Sequence, residues 1–279
     1  MYSGMHLTKY TGRIIGAHQK IDRVARRHLG ELLPPHTSFP PAKSILKFEG
    51  KNGPDGIKIK SPARDEPWHY VNPYADENTE FLRGIATHYK ALVRNLKKTN
   101  DERSAFEAAW LAHALVDGMT PAHHYPYEEK LKELTGGLGR EHRTTIKHKL
   151  IQKGETKRQT LFNFYKYMGP KGLMMGHALF EQGFAYIVTP LRLPDARPTP
   201  EDMRDLKRLS LDEFFIRRVR EVAMMDMYDR YLNLGWTPKL SNEVRHHLAP
   251  LMVSTVTLVW YKAADEAGLC VPLDSKERA

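Results

Sequence analysis

A chain of 279 residues, 41% hydrophobic and 27% charged, is long enough to bury a sizeable core and too apolar for wholesale disorder or a fibrous architecture. Its formal net charge of +10 selects anionic partners, such as nucleic acid, phospholipid head groups or phosphorylated metabolites, without specifying any chemistry. The single Cys270 excludes a disulfide framework and a thiolate-rich zinc site, so a metal would have to be held by His, Asp and Glu.

Taken in chain order, the opening stretch MYSGMHLTKYTGRIIGAHQK lacks a continuous apolar segment and a small-residue cleavage site, so no secretory signal and a cytoplasmic location are expected. Apolar spacing at Ile14, Ile15, Ile21, Val24, Ala25 and Leu29 predicts a first helix that ends before Pro34 and Pro35. His36 to Tyr74, rich in Pro, Gly and Lys, has no sustained period and reads as a long ordered loop. From Thr79 a helical stripe returns with Phe81, Leu82, Ile85, Tyr89, Leu92, Val93 and Leu96. Asp101 is the expected cap of the next helix, which Phe106, Trp110, Leu111, Leu115 and Val116 place in the core.

Between Lys130 and Lys171 eleven Lys and Arg residues face only Glu133, Glu141 and Glu155, a composition that fits a solvated basic face or an insertion over about residues 128–172. Ser210 is the expected cap of a later helix, with Gly235 near its stop and a last helix from about Ser241 to Ala267. The longest apolar run, Leu248 to Tyr261, contains Pro250 and is too short to span a bilayer, so no transmembrane segment is expected. Cys270 reads as a buried structural cysteine. With no hairpin signal and no repeat, the expected architecture is all-α: one multi-helix domain over residues 1–279 with a long loop and a basic insertion.

The stretch AAWLAHALVDGMTPAHH, residues 108–124, sets His113 and Asp117 four residues apart on an apolar helix and follows them with His123 and His124. Residues at i and i+4 share a helix face, so both side chains can reach one ion. A charged Asp117 among leucines and valine is costly unless paired. Such a pair alone is more often structural than ligating. His177 and Glu181 repeat the spacing on another apolar helix, His69 sits in WHYVNP, and His18 lies in the first helix.

This ordered series resembles the zinc-dependent phospholipase C family, related in fold to the fungal single-strand nucleases. The resemblance rests on His18, Asp55 in GPDG, His69, the His113, Asp117 and His123 series, and His177 with Glu181. It implies a first zinc held by Asp55, His69, His113 and Asp117, a second by His123, His177 and Glu181, and a third by His18 with Asp117. The family completes the third site with an N-terminal tryptophan; seventeen residues precede His18 here, and none is Trp. His124 competes with His123, and Asp65 with Asp55, but the family spacing favours the residues named. His88, His246 and His247 read as surface or helix-border residues, while His6, His28, His36, His142 and His148 have no carboxylate at an informative spacing.

The implied activity is phosphodiester hydrolysis by two or three zinc ions, with metal-bound hydroxide attacking phosphorus and Asp55 as the catalytic residue that orients or deprotonates the water. Expected partners are an anionic phosphodiester, either a phospholipid head group or nucleic acid, and a peripheral membrane contact. A single-strand nuclease would use Tyr125 and Tyr127 as stacking platforms; Trp68 and Tyr70 read as packing residues. A third reading is a metal-stabilised, non-catalytic protein that grips nucleic acid or an anionic membrane through the basic stretch.

Overall fold

The computed structural model describes residues 16–62, 69–75, 78–169 and 172–270, and every regular element among them is helical. The order is α1 (Ala17–Leu32), α2 (Ala42–Ile45), α3 (Pro54–Lys60), α4 (Thr79–Lys97), α5 (Asp101–Gly118), α6 (Tyr127–Thr135), α7 (Lys147–Leu150), α8 (Lys157–Met168), α9 (Leu173–Val188), α10 (Pro200–Arg208), α11 (Leu211–Ala223), α12 (Met227–Leu234), α13 (Pro238–Glu243) and α14 (Ala249–Glu266). The all-α expectation therefore holds.

Every residue of α14 from Met252 to Trp260 is buried, the hydroxyls of Ser254 and Thr257 bonding carbonyls of their own helix, so this helix is enclosed all round and forms the axis of the core. α1 packs along it through Ile21, Val24, Ala25 and Leu29, and α4 and α5 close its other side. Trp260 is fully buried and its Nε1–H donates to the Ala108 carbonyl at 3.1 Å, which ties α14 to α5. α5 is lined by Ala105, Ala108, Ala109 and Ala112, all buried. These small side chains let its neighbours approach closely.

Local chemistry accounts for the helix ends. Asn100, rather than Asp101, caps α5 by accepting the Arg103 N–H at 3.1 Å; Asp101 lies one residue on, in the first turn, where its carboxylate complements the helix dipole. Ser210 and Glu213 form a capping box at α11, as expected of that serine. The single helix expected from Ser210 to Gly235 is broken into α11 and α12 at Asp226, φ 50°, and Gly235 ends only α12, at φ 68°, a left-handed conformation that favours glycine.

Other expectations change. The segment His36 to Tyr74 is not continuous loop among its described residues but holds α2, two single 3₁₀ turns and α3. α3 starts with Pro54 at its first position and Asp55 in its first turn, both favourable there, yet at seven residues it is too short to show a period. The last predicted helix is interrupted: a π-helical turn, Val244–Leu248, precedes α14. Pro250 has no N–H and its ring crowds the carbonyl four residues back, so the regular ladder cannot run through it. His246 and His247 stand exposed in that turn, and Cys270 is half-buried rather than buried.

The basic stretch is helical in part, supplying α6, α7 and α8. Lys149 donates to the Lys58 carbonyl of α3, and the Tyr127 and Tyr167 hydroxyls meet at 2.6 Å. It is therefore packed on the rest of the chain.

Replacing Trp260 by Ala removes a large fully buried ring and its hydrogen bond, and is expected to cost about 3–5 kcal/mol. The loss is read from the urea midpoint of unfolding followed by circular dichroism.

Candidate metal centre

Five elements deliver the polar side chains that gather beside the core. α1 contributes His18, α3 contributes Asp55 and Lys58, and α5 contributes His113 and Asp117. The turn Pro121–His124 contributes His123, and α9 contributes His177 and Glu181. Gly118 follows Asp117 because a Cβ there would lie 2.7 Å from Phe215 Cζ and 2.8 Å from Phe81 Cε1. The close packing of Phe81 and Phe215 thus fixes the end of the helix that presents Asp117.

The first group is His18, His113 and Asp117, all buried, with one donor atom from each within 4.8 Å of the others. The two imidazoles stack with centroids 3.7 Å apart and planes 7° apart. His18 Nε2 lies 3.4 Å from Asp117 Oδ1, and His113 Nε2 lies 3.4 Å from Asp117 Oδ2. His113 Nδ1–H donates to Glu49 Oε2 at 3.2 Å. That bond fixes the ring and leaves Nε2 turned toward the carboxylates of Asp55 and Asp117.

The second group is His123, His177 and Glu181. His123 Nε2 and His177 Nε2 converge on the same Glu181 oxygen, at 3.0 and 3.1 Å. His123 Nδ1–H donates to the Asp117 carbonyl at 2.8 Å, so its Nε2 carries a lone pair, and burial pushes its pKa down to about 4. A carboxylate oxygen that meets two imidazole nitrogens at such distances is held by a cation shared among them, a proton or a metal ion. The two groups thus fit divalent ions by donor type and convergence, as oxygen and nitrogen ligands that suit zinc among other metals.

Asp117 links the two groups, its side chain belonging to the first and its carbonyl fixing His123 of the second. Burial works against its charge, but the Lys58 ammonium and then His113 outweigh burial and hold the carboxyl well below the usual range. Lys58 Nζ lies 3.1 Å from Asp55 Oδ1 and 3.3 Å from Asp117 Oδ2. An ammonium therefore stands between the two carboxylates that the resemblance assigns to the first zinc.

Of the expected ligands, His18, His113, Asp117, His123, His177 and Glu181 fall into these two groups. Asp55 borders the first, 3.5 Å from His113 Nε2. His69 belongs to neither close group; its ring meets His123 edge-on at 5.0 Å and shares a cavity of about 220 Å³ with Lys58, His113 and Asp117. The rival His124 turns away: its Nε2–H donates to the Gly118 carbonyl at 2.8 Å, and burial pushes its pKa to about 4. Asp65 and Trp68 lie outside the described residues. His88 sits at the core edge, paired with Glu107 at 2.7 Å.

Sequence reasoning missed Lys58, Glu49 and Asp22. Asp22 repeats the His and Asp i, i+4 spacing with His18, a signal that was available. It is fully buried, and both its oxygens lack hydrogen bonds among the described residues. Burial, then the Glu49 carboxylate, push it well above the usual carboxylate range. Glu49 lies in the irregular segment before α3, where no period marks it.

Removing the Lys58 charge by Lys58→Met is expected to tighten zinc binding at the His18, His113 and Asp117 group at least about tenfold, because a unit charge beside a divalent ion opposes its entry. The second group should be unchanged; calorimetric titration with zinc reads both. Lys149, whose amine burial and Lys58 push down to about 8, is expected to lose its proton below the other lysines and to react first as pH rises in competitive acetylation read by mass spectrometry. Scanned against models of known families the chain matches none, and no curated protein is significantly similar to it.

Proposed function

We propose that this chain is a zinc-dependent phosphodiester hydrolase of the phospholipase C type. The observation that carries the reading is the pair of buried His and carboxylate groups joined through Asp117, the second of which borders an open cavity. Zinc bound at such groups supplies Lewis acidity, which lowers the pKa of a bound water to about 7 and offsets charge building on a phosphoryl group.

The chain's own residues position the reaction. His123 would offer Nε2 as a ligand because its other nitrogen is committed to the Asp117 carbonyl, and Glu49 orients His113 in the same way. Asp55 would accept a hydrogen bond from the attacking water and so orient it. Lys58 adds a positive charge beside Asp55 and Asp117.

The cavity of about 690 Å³ beside His123 favours one kind of substrate. Tyr70, Phe81, Tyr125 and Tyr228 give it an aromatic lining, and its rim carries Glu80, Glu128, Glu129, Asp226 and Asp229 with no Lys or Arg among the described lining residues. Glu128 is tied to Arg143 in an ion pair, which leaves the rim acidic on balance. An acidic, aromatic mouth disfavours a polyanionic strand and favours a phosphodiester whose head group is cationic, through charge and cation–π attraction. The nuclease reading is weakened further at Tyr127. That ring is buried, stacked on Tyr70 at 5.0 Å and bonded to Tyr167, so it offers no free face for a base.

The test pairs metal content by mass spectrometry with hydrolysis of a chromogenic phosphocholine ester. Turnover is expected to require zinc and to stop on chelation. Asp117→Asn should lose bound zinc and drop turnover at least about a hundredfold, at or beyond the range seen for changes in outer-shell partners of a metal. Cleavage of single-stranded DNA in place of the choline ester would establish the nuclease reading, and full activity in Asp117→Asn would sink both.

A further inference from the structure

α8 presents the wrong side chains to solvent for a helix of a self-contained globule. Leu161, Phe162, Phe164 and Tyr165 are 70%, 54%, 43% and 64% exposed, within five consecutive residues. The buried side of the helix is held by Asn163 and Tyr167. Around the apolar face stand Lys157, Arg158 and Lys166, and the helix contains no Asp or Glu. Lys166 Nζ lies 4.6 Å from the Phe162 ring centre. Contiguous exposed apolar surface of this kind costs solubility and marks a contact site.

We infer that α8 is a docking face for an anionic lipid surface. The side chains match that partner in both respects: Phe, Tyr and Leu insert at the boundary between head groups and acyl chains, while Lys and Arg stay among anionic head groups. At twelve residues α8 is too short to cross a bilayer, and no helix among the described residues is long and apolar enough to do so. A second copy of the chain fits less well. A two-fold pairing would set three positive charges against the same three, with no carboxylate on the helix to answer them.

The helix is also well placed. Its inward Tyr167 hydroxyl bonds to Tyr127, whose ring lies 6.3 Å from that of His177. Docking through α8 would therefore hold the metal centre one helix back from the lipid surface. Attachment of this kind needs no turnover and so goes beyond the catalytic reading.

The experiment is sedimentation of the full chain with vesicles in chelator, so that the metal centre plays no part. Two compositions are compared, phosphatidylcholine alone and a two-to-one mixture with phosphatidylglycerol. The chain is expected to pellet with the mixed vesicles and to be released by high salt. Replacing Leu161, Phe162, Phe164 and Tyr165 together by Ser should weaken vesicle binding at least about tenfold while helical circular dichroism is retained. Replacing Lys157, Arg158 and Lys166 by Gln should abolish the preference for anionic lipid, a second variant that leaves the apolar face intact. Equal binding by the four-serine variant overturns the inference, as does absence of binding by the unaltered chain. A chain that binds an oligonucleotide but no vesicle overturns it too, as does a dimer in gel filtration that the four-serine variant makes monomeric. Failure of hydrolysis with vesicle binding intact would count against the proposed activity alone.

Discussion

The carboxylate of Asp117 sits at the end of an alanine-lined helix, almost sealed from water. An isolated buried charge of this kind is among the most expensive features a fold can carry, so the surroundings must supply positive charge or hydrogen bonds. Much of the local architecture answers that demand. α1 brings His18 across the core to one oxygen, α5 places His113 against the other, and α3 lifts Lys58 over the same edge. The Asp117 backbone carbonyl then orients His123 toward Glu181, so one residue organises both groups.

How the negative charges are balanced sets the character of the centre. His113 has Glu49, Asp55 and Asp117 around it, and Asp22 lies behind with no hydrogen bond among the described residues. Burial lowers the proton affinity of His113, yet those three carboxylates outweigh it and raise it well above the ordinary imidazole range. The cluster is thus rich in negative charge. Lys58 satisfies part of that charge with a flexible stem that can swing aside, as a rigid partner could not.

The sequence made the all-α class and most of the site legible, because helices advertise themselves by period and His with Asp at i, i+4 advertises a shared face. His113, Asp117, His177 and Glu181 were readable on those grounds, while His18 gained its ligand role only through the resemblance. The segment before α3 was not, since a seven-residue helix shows less than two turns of any pattern. Lys58 was hidden for a further reason: one lysine among the many of a basic chain gives no sign that it points inward. Glu49 was hidden because its role depends on meeting His113 across 64 positions. The interruption before α14 was written in Pro250 but needed the backbone to show how it relaxes. The phospholipase-like reading is carried by the site rather than by the helix order.

The hydroxyl contact between Tyr127 and Tyr167 has an implication for how such a chain can drift. Each buried hydroxyl uses the other as its partner at 2.6 Å. Losing one alone strands its mate in a buried site, whereas exchanging both for phenylalanine leaves no orphan. Two positions forty residues apart should therefore vary as a pair across descendants of this sequence, both tyrosine or both apolar. That coupled variation would record, in lineage rather than in geometry, that α6 and α8 have been joined throughout.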